Sequence, residues 1–188
     1  MIVKNLKVFL QNVQKNRLLT DTILETDKYL DILFIQKLSW SFIYTILSSS
    51  SKERDRIVDT PNYPNWLTFS RPSTDNSHPR MISYINTRLS HMWFSLRKDI
   101  FNHRDINCIS FFNNGNILFM INIYSNNHQL ALNYLKNTEA NLCNFFIITS
   151  DFNIRDSNCN SSYPFHLIYS DTLLNIADLF DFKLSYSI

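Results

Sequence analysis

Glycine is nearly absent: Gly115 stands alone in 188 residues. Average usage of about 7% would supply about a dozen. Turns that normally use glycine must be built from Asn, Asp and Ser, or be strained. Cysteine is scarce and odd in number, with Cys108, Cys143 and Cys159 at no metal-ligand spacing. The expectation is a reduced compartment in which the thiols act as small core hydrophobes. An excess of charge is lacking too: 18 Lys and Arg face 16 Asp and Glu, for a net charge of +2. That balance permits nucleic-acid binding without arguing for it, because a strong basic footprint is much larger. No apolar run reaches the roughly 18 to 20 residues that span a bilayer. The N-terminal MIVKNLKVFLQN is broken by Lys4, Asn5 and Lys7, which makes a poor signal peptide. These absences point to an intracellular protein, nuclear or cytoplasmic, with no membrane and no obligate protein partner. The Asn160-Ser161-Ser162 sequon is then expected to stay unglycosylated.

What is present is a core-forming chain, 45% hydrophobic and 14% aromatic, most economically read as one domain over 1–188. Strand patterns run over 6–12, 31–36, 80–87, 106–112, 116–124 and 144–150. DILFIQ at 31–36 is apolar on both faces, as an interior strand must be. Asn113-Asn114-Gly115-Asn116 is a hairpin signal. Helical spacing appears at Leu19, Thr22, Ile23, Thr26 and Leu30, and again at Ala131, Leu135, Thr138 and Leu142. Ser170 and Asp171 could cap a final helix through about Phe182. Residues 41–79, with SSSSKERD and four of the five prolines, read as an irregular insertion or flexible region. The order predicts a layered α/β fold with two mixed sheets.

Three apolar strands end in polar residues: Gln11-Asn12, Gln36-Lys37 and Asp151-Phe152-Asn153. Ligand sites of α/β proteins lie beyond the carboxyl ends of strands. Strand alternation aims Asp151 and Asn153 to one side, and a carboxylate beside an amide suits a hard divalent cation or the phosphate it polarises. Taken singly, such a strand-end motif is more often a turn or a helix cap.

Taken in series, QNV at 11–13, FIQ-x-x-x-W at 34–40, NIYS at 122–125 and SDFN at 150–153 resemble the endonuclease/exonuclease/phosphatase superfamily. The nearer likeness is to the endonuclease domain of non-LTR (LINE-type) retrotransposons, of a fungal lineage. The resemblance covers residues 6 to 182. It implies a four-layered α/β sandwich with two mixed β-sheets flanked by helices, DNase I-like, and Mg²⁺-dependent hydrolytic nicking of DNA. It further implies that Asn12 positions metal or phosphate and that position 37 holds a metal-binding glutamate. By the same likeness Tyr124 lies near the scissile phosphate, Asp151 orients the attacking water and Asn153 hydrogen-bonds the phosphate. A C-terminal reverse transcriptase in the parent element would follow from it as well.

The chain departs from that pattern. Lys37 replaces the glutamate, Ser150 replaces a glycine, and the sequence stops 35 residues after Asn153, ahead of the family's closing strands and final histidine. His166 comes too early to stand in for that histidine. A lysine in place of a carboxylate reverses a Coulomb term of order 4 kcal/mol at about 4 Å. Three readings stay open: an active phosphodiesterase, an inactive relic that binds nucleic acid, and a pseudogene product. For binding, Arg80, Arg97, Lys98 and Arg104 form a candidate basic series, with Arg88 beside them, and a solvated face is the bland alternative. Trp40, Trp66 and Trp93 are expected to pack rather than stack on bases. Glu to Lys and Gly to Ser each need one G-to-A transition, and glycine loss follows the same direction, which suggests a transposon copy decayed by C-to-T mutation. Missing closing strands would leave a sheet edge open and stability marginal.

Overall fold

The computed structural model describes residues 6–38, 44–47, 56–59, 63–71, 79–113, 115–125, 130–138 and 145–151. Ten strands and two α-helices alternate in the order β1 (Val8–Asn12), α1 (Arg17–Thr26), β2 (Ile32–Gln36), β3 (Tyr44–Leu47), β4 (Arg56–Asp59), β5 (Trp66–Phe69), β6 (Met81–Asn86), β7 (Ser95–Leu96), β8 (Ile106–Asn113), β9 (Asn116–Tyr124), α2 (Leu130–Lys136) and β10 (Phe145–Asp151), with a 3-10 helix at Thr87–Met92. One sheet has the order β1-β2-β6-β5 and the other β10-β9-β8-β7, while β3 and β4 pair as a separate hairpin. In the first sheet β1 and β2 are parallel and the rest antiparallel. The second repeats this scheme, with β9 and β10 parallel and β8 and β7 antiparallel.

Strand alternation sorts the apolar residues into three cores. Leu33, Ile35, Ile82 and Tyr84 turn to α1 and pack with Leu24 and Trp66. Ile32, Phe34 and Ile85, on the other face, meet Ile109, Phe111 and Met120 of the second sheet. That sheet's outer residues, Ile106, Cys108, Ile121 and Ile123, pack on Ala131, Leu132 and Leu135 of α2. Helix, sheet, sheet and helix therefore stack as the four layers that the family resemblance implies. Each fully buried Ile, Leu or Phe contributes about 1.5–3 kcal/mol relative to exposure. All five residues of β2 and all six of β6 are buried, which is why they read as near-continuous apolar runs.

Several expectations need correction. Residues 41–79 are not simply irregular, since they carry β3, β4 and β5. Helix α1 buries Thr20 and Leu24, while Thr22 and Thr26 are exposed. Burial follows the i, i+4 pair that faces the sheet rather than the most regular run of residues. Trp66 packs as expected, its indole N–H donating to the Leu24 carbonyl at 2.9 Å, but Trp93 is 78% exposed. The 113–116 hairpin is present, with Asn113 opposite Asn116 and Gly115 at φ +81°. Among the described residues the other left-handed positions are Gln14, Lys15, Lys37 and Trp93, the strained alternative to Asn, Asp or Ser, each at a cost of roughly 1–2 kcal/mol. Cys108 is a buried thiol. The final helix, Asn153, His166, Trp40, Cys143 and Cys159 lie outside the described residues, as does the expected open edge at the chain's end.

Candidate functional site

Sheet order decides what the strand ends bring together. Asn12 lies opposite Gln36 in the first sheet, and Asp151 opposite Tyr124 in the second. β6 begins beside the end of β2, with Met81 opposite Gln36, and β8 begins beside the end of β9. Arg80 and Asp105, each one residue ahead of its strand, thus reach the same edge. A hydrogen bond between the sheets fixes their register there. The Gln36 side-chain amide donates to Asn122 Oδ1 at 2.7 Å and to the Ile123 carbonyl at 2.8 Å. A second link runs from Asn107 Nδ2 to Ser83 Oγ and to the Phe69 carbonyl, both at 3.0 Å.

Lys37 leaves β2 in a left-handed conformation, φ +52°. The Lys15 amide donates to its carbonyl at 2.6 Å, and the Leu38 amide donates to the Arg80 carbonyl at 3.3 Å. Its half-buried side chain extends over the Tyr124 ring, with Nζ 5.8 Å from the ring centroid. The Arg80 guanidinium lies over the same ring, Cζ 4.7 Å from the centroid. One phenol thus carries two cations, each favoured by the ring's quadrupole. Asn12 Oδ1 accepts from the Gln14 amide at 3.1 Å, the turn role foreseen as the ordinary use of such a residue. Asp151 is placed by its main chain at the end of β10.

Asp105 went unnoticed in the sequence, although it is the most enclosed charge at this edge, with 0% exposure. Arg80 grips it with both sides of its fork, Nε to Oδ1 at 2.7 Å and Nη2 to Oδ2. Arg104 approaches it at 3.6 Å. Bidentate pairing of this kind lets a carboxylate remain ionised away from water. The Asp105 carbonyl accepts from the Tyr124 amide at 3.0 Å. Its own amide donates to His103 Nδ1 at 3.1 Å. Burial lowers the His103 pKa, against the raising influence of Asp105, so the ring stays neutral with Nδ1 as acceptor. Arg71 staples the same loop, its Nε donating to the Ile106 carbonyl at 3.2 Å and Nη1 to Asn102 Oδ1 at 3.0 Å.

The candidate basic series divides. Arg80 and Arg104 stand at the edge, whereas Arg97 pairs bidentately with Asp99 and lies 5.6 Å from the Phe119 ring, on the face turned to α2. That pairing holds the exposed Asp99 carboxyl down at about 2. Lys98 is exposed beside it. Arg88 is committed to Asp31 on the loop before β2.

Carboxylate oxygens are what a hard divalent cation requires. Among the described residues no three His, Cys, Asp or Glu side chains gather to hold a metal ion. The described carboxylate at this edge, Asp105, is already engaged by Arg80, and an ammonium and a guanidinium sit over Tyr124. The described side chains fit an anion better than Mg²⁺.

A solved structure shares this architecture. The endonuclease domain of TRAS1, a telomere-specific non-LTR retrotransposon, superposes with a TM-score of 0.56 at 11% identity, over 92% of this chain and 71% of that one. Humanized D. rerio TDP2 carrying 14 mutations gives 0.43 at 14% identity over 82% and 66%, and a β-hairpin deletion mutant of Staphylococcus aureus beta toxin gives 0.40 at 11% over 94% and 72%. The last two scores are too low to carry an argument. No family model matches the sequence, and no curated protein does. The chain has the DNase I-like α/β sandwich fold.

Proposed function

We infer that this chain is a degenerate relative of non-LTR retrotransposon endonuclease domains, which holds the DNA backbone at its strand-end site without hydrolysing it. The observation that carries this reading is Lys37 beside Arg80 over Tyr124. Two cations occupy the place where a metal-dependent phosphodiesterase of this fold needs acidic oxygen, so the charge left there attracts phosphate instead. The order of QNV, FIQ, NIYS and SDFN along the chain and the fold shared with the TRAS1 domain support the kinship. The fungal lineage and the decay by C-to-T transitions are part of the same proposal, and sister copies dominated by other changes would refute that part. Asp151 and Asn153 would be remnants of the hydrolytic set, and Mg²⁺ is not required for binding in this reading.

The test pairs two assays on the full chain. Supercoiled plasmid is expected to remain intact in Mg²⁺. A labelled duplex oligonucleotide is expected to bind equally with Mg²⁺ or a chelator, with log K falling against log salt at a slope of about −2 for two phosphate contacts. Mg²⁺-dependent nicking by the wild-type protein would overturn the proposal. So would binding that disappears in chelator.

A further inference from the structure

Arg80 is held in an unusual way. Its Nε and Nη2 are both taken by Asp105, and among the described residues Nη1 meets no hydrogen-bond partner. The guanidinium plane cannot swing freely while a buried carboxylate grips one side of the fork. The Lys37 main chain is fixed by the bonds of Lys15 and Leu38, which sets the direction from which its side chain starts, and its Nζ lies over Tyr124. Tyr124 is buried to within 7% of complete enclosure, with cations over its ring. A base therefore has no ring face to stack upon, and what remains for a ligand is charge.

We propose that Asp105 is the positioning residue of a phosphate clamp in which Arg80 Nη1 and Lys37 Nζ are the two donors. The clamp takes the non-bridging oxygens of a phosphodiester or phosphomonoester and is indifferent to base identity. The assignment rests on the phosphate-binding reading given above and adds to it the residues, the ligand group and the device that holds them. Arg80 supplies a directional fork and Lys37 a point charge, the combination that recognises a tetrahedral anion. Asp105 touches no ligand. Its task is to prevent the guanidinium from turning to solvent, and its buried charge is neutralised by Arg80 itself with Arg104 nearby.

Simple electrostatics and this proposal predict opposite results for one substitution. Asp105→Asn removes a negative charge, so a non-specific model expects tighter anion binding. Loss of positioning instead weakens it, here by about tenfold at low salt, even though the net charge has risen. Lys37→Gln and Arg80→Gln are each expected to lose about tenfold. Asp105→Asn added to Arg80→Gln should cost nothing further, because Asp105 acts through Arg80. Near-UV circular dichroism checks that each variant folds, and the double variant, which leaves neither charge buried alone, stands in should Asp105→Asn fail to fold.

Two probes separate this inference from the broader one: fluorescence anisotropy with a labelled random-sequence duplex, and calorimetry with inorganic pyrophosphate. If duplex binds and all variants bind like wild type, the clamp is wrong and DNA binding stands. If pyrophosphate binds in a Lys37- and Arg80-dependent way while duplex does not, the clamp stands and the nucleic-acid reading falls. If neither probe binds, both fall. Tighter binding by Asp105→Asn overturns the positioning role, as does an additive loss in the double variant.

Discussion

The space between the two sheets has two ends made of different materials. Away from the site, Ile32, Phe34, Ile85, Ile109, Phe111 and Met120 close it with hydrocarbon. Toward the site, Gln36, Ser83, Asn107 and Asn122 replace them, all buried. Hydrocarbon contact is non-directional and tolerates small slips of one sheet over the other. The Gln36 amide, shared between Asn122 and the Ile123 carbonyl, is satisfied in one register only. The dry end supplies adhesion, and the polar end supplies alignment at the edge where Lys37, Arg80 and Tyr124 meet. Alignment has a cost: among the described residues Asn107 Oδ1 and Asn122 Nδ2, on directly opposed residues, meet no hydrogen-bond partner.

The largest effect is expected at the dry end. Phe111→Ala removes a fully buried ring stacked on Phe94 at 5.5 Å. It should cost about 3–5 kcal/mol, read as a lower urea midpoint. At the polar end, Gln36→Leu strips Asn122 Oδ1 of its donor and should cost about 1–3 kcal/mol. Adding Asn122→Leu should recover most of that stability, because the amide that lost its donor is removed as well, yet leave anion binding impaired through lost register. Recovery of both would abolish the distinction between adhesion and alignment. The smallest effect concerns pH. Burial lowers the folded-state pKa of His103 below its unfolded value near 6.5, so the unfolded chain binds the extra proton first. The contribution of His103 to stability is complete above about pH 6.5 and is lost as pH falls from there toward the folded value. His103→Gln should flatten the decline in stability between pH 7 and 5, and an unchanged slope would mean that the ring titrates freely in the fold.

Much of the architecture was legible because it rests on local pattern. ILFIQ and MISYIN announce buried strands, and Asn-Asn-Gly-Asn announces the hairpin. Position 37 stood out in series with the other strand ends, though the ring beneath its ammonium did not. Asp105 was not legible, since an acid next to Arg104 reads as a surface pair. What buries it is the convergence of two sheet edges, together with an arginine 25 positions earlier. A signal for Asn107 and Asn122 did exist. Both interrupt the inward-facing apolar positions of INCISFF and NILFMINIY, and a polar residue on the core face of a strand calls for a partner. The face of α1 was legible in part: Leu19, Ile23 and Leu30 do pack against the core, while Thr22 and Thr26, which fit the same period, face outward and Thr20 and Leu24 take the buried places.

Among the described residues the two sheets share no stretch of chain: residues 8–86 supply the strands of the first and residues 95–151 those of the second. Each parallel pair has, among the described residues, one helix between its strands, α1 or α2, so the two halves repeat one plan. The bonds that cross between halves, Gln36 to Asn122, Asn107 to Ser83 and Arg80 to Asp105, exist only while the two sheets face each other in register. An arrangement held by bonds that cross between the halves is lost whenever the sheets part, even while each keeps its own strand pairs.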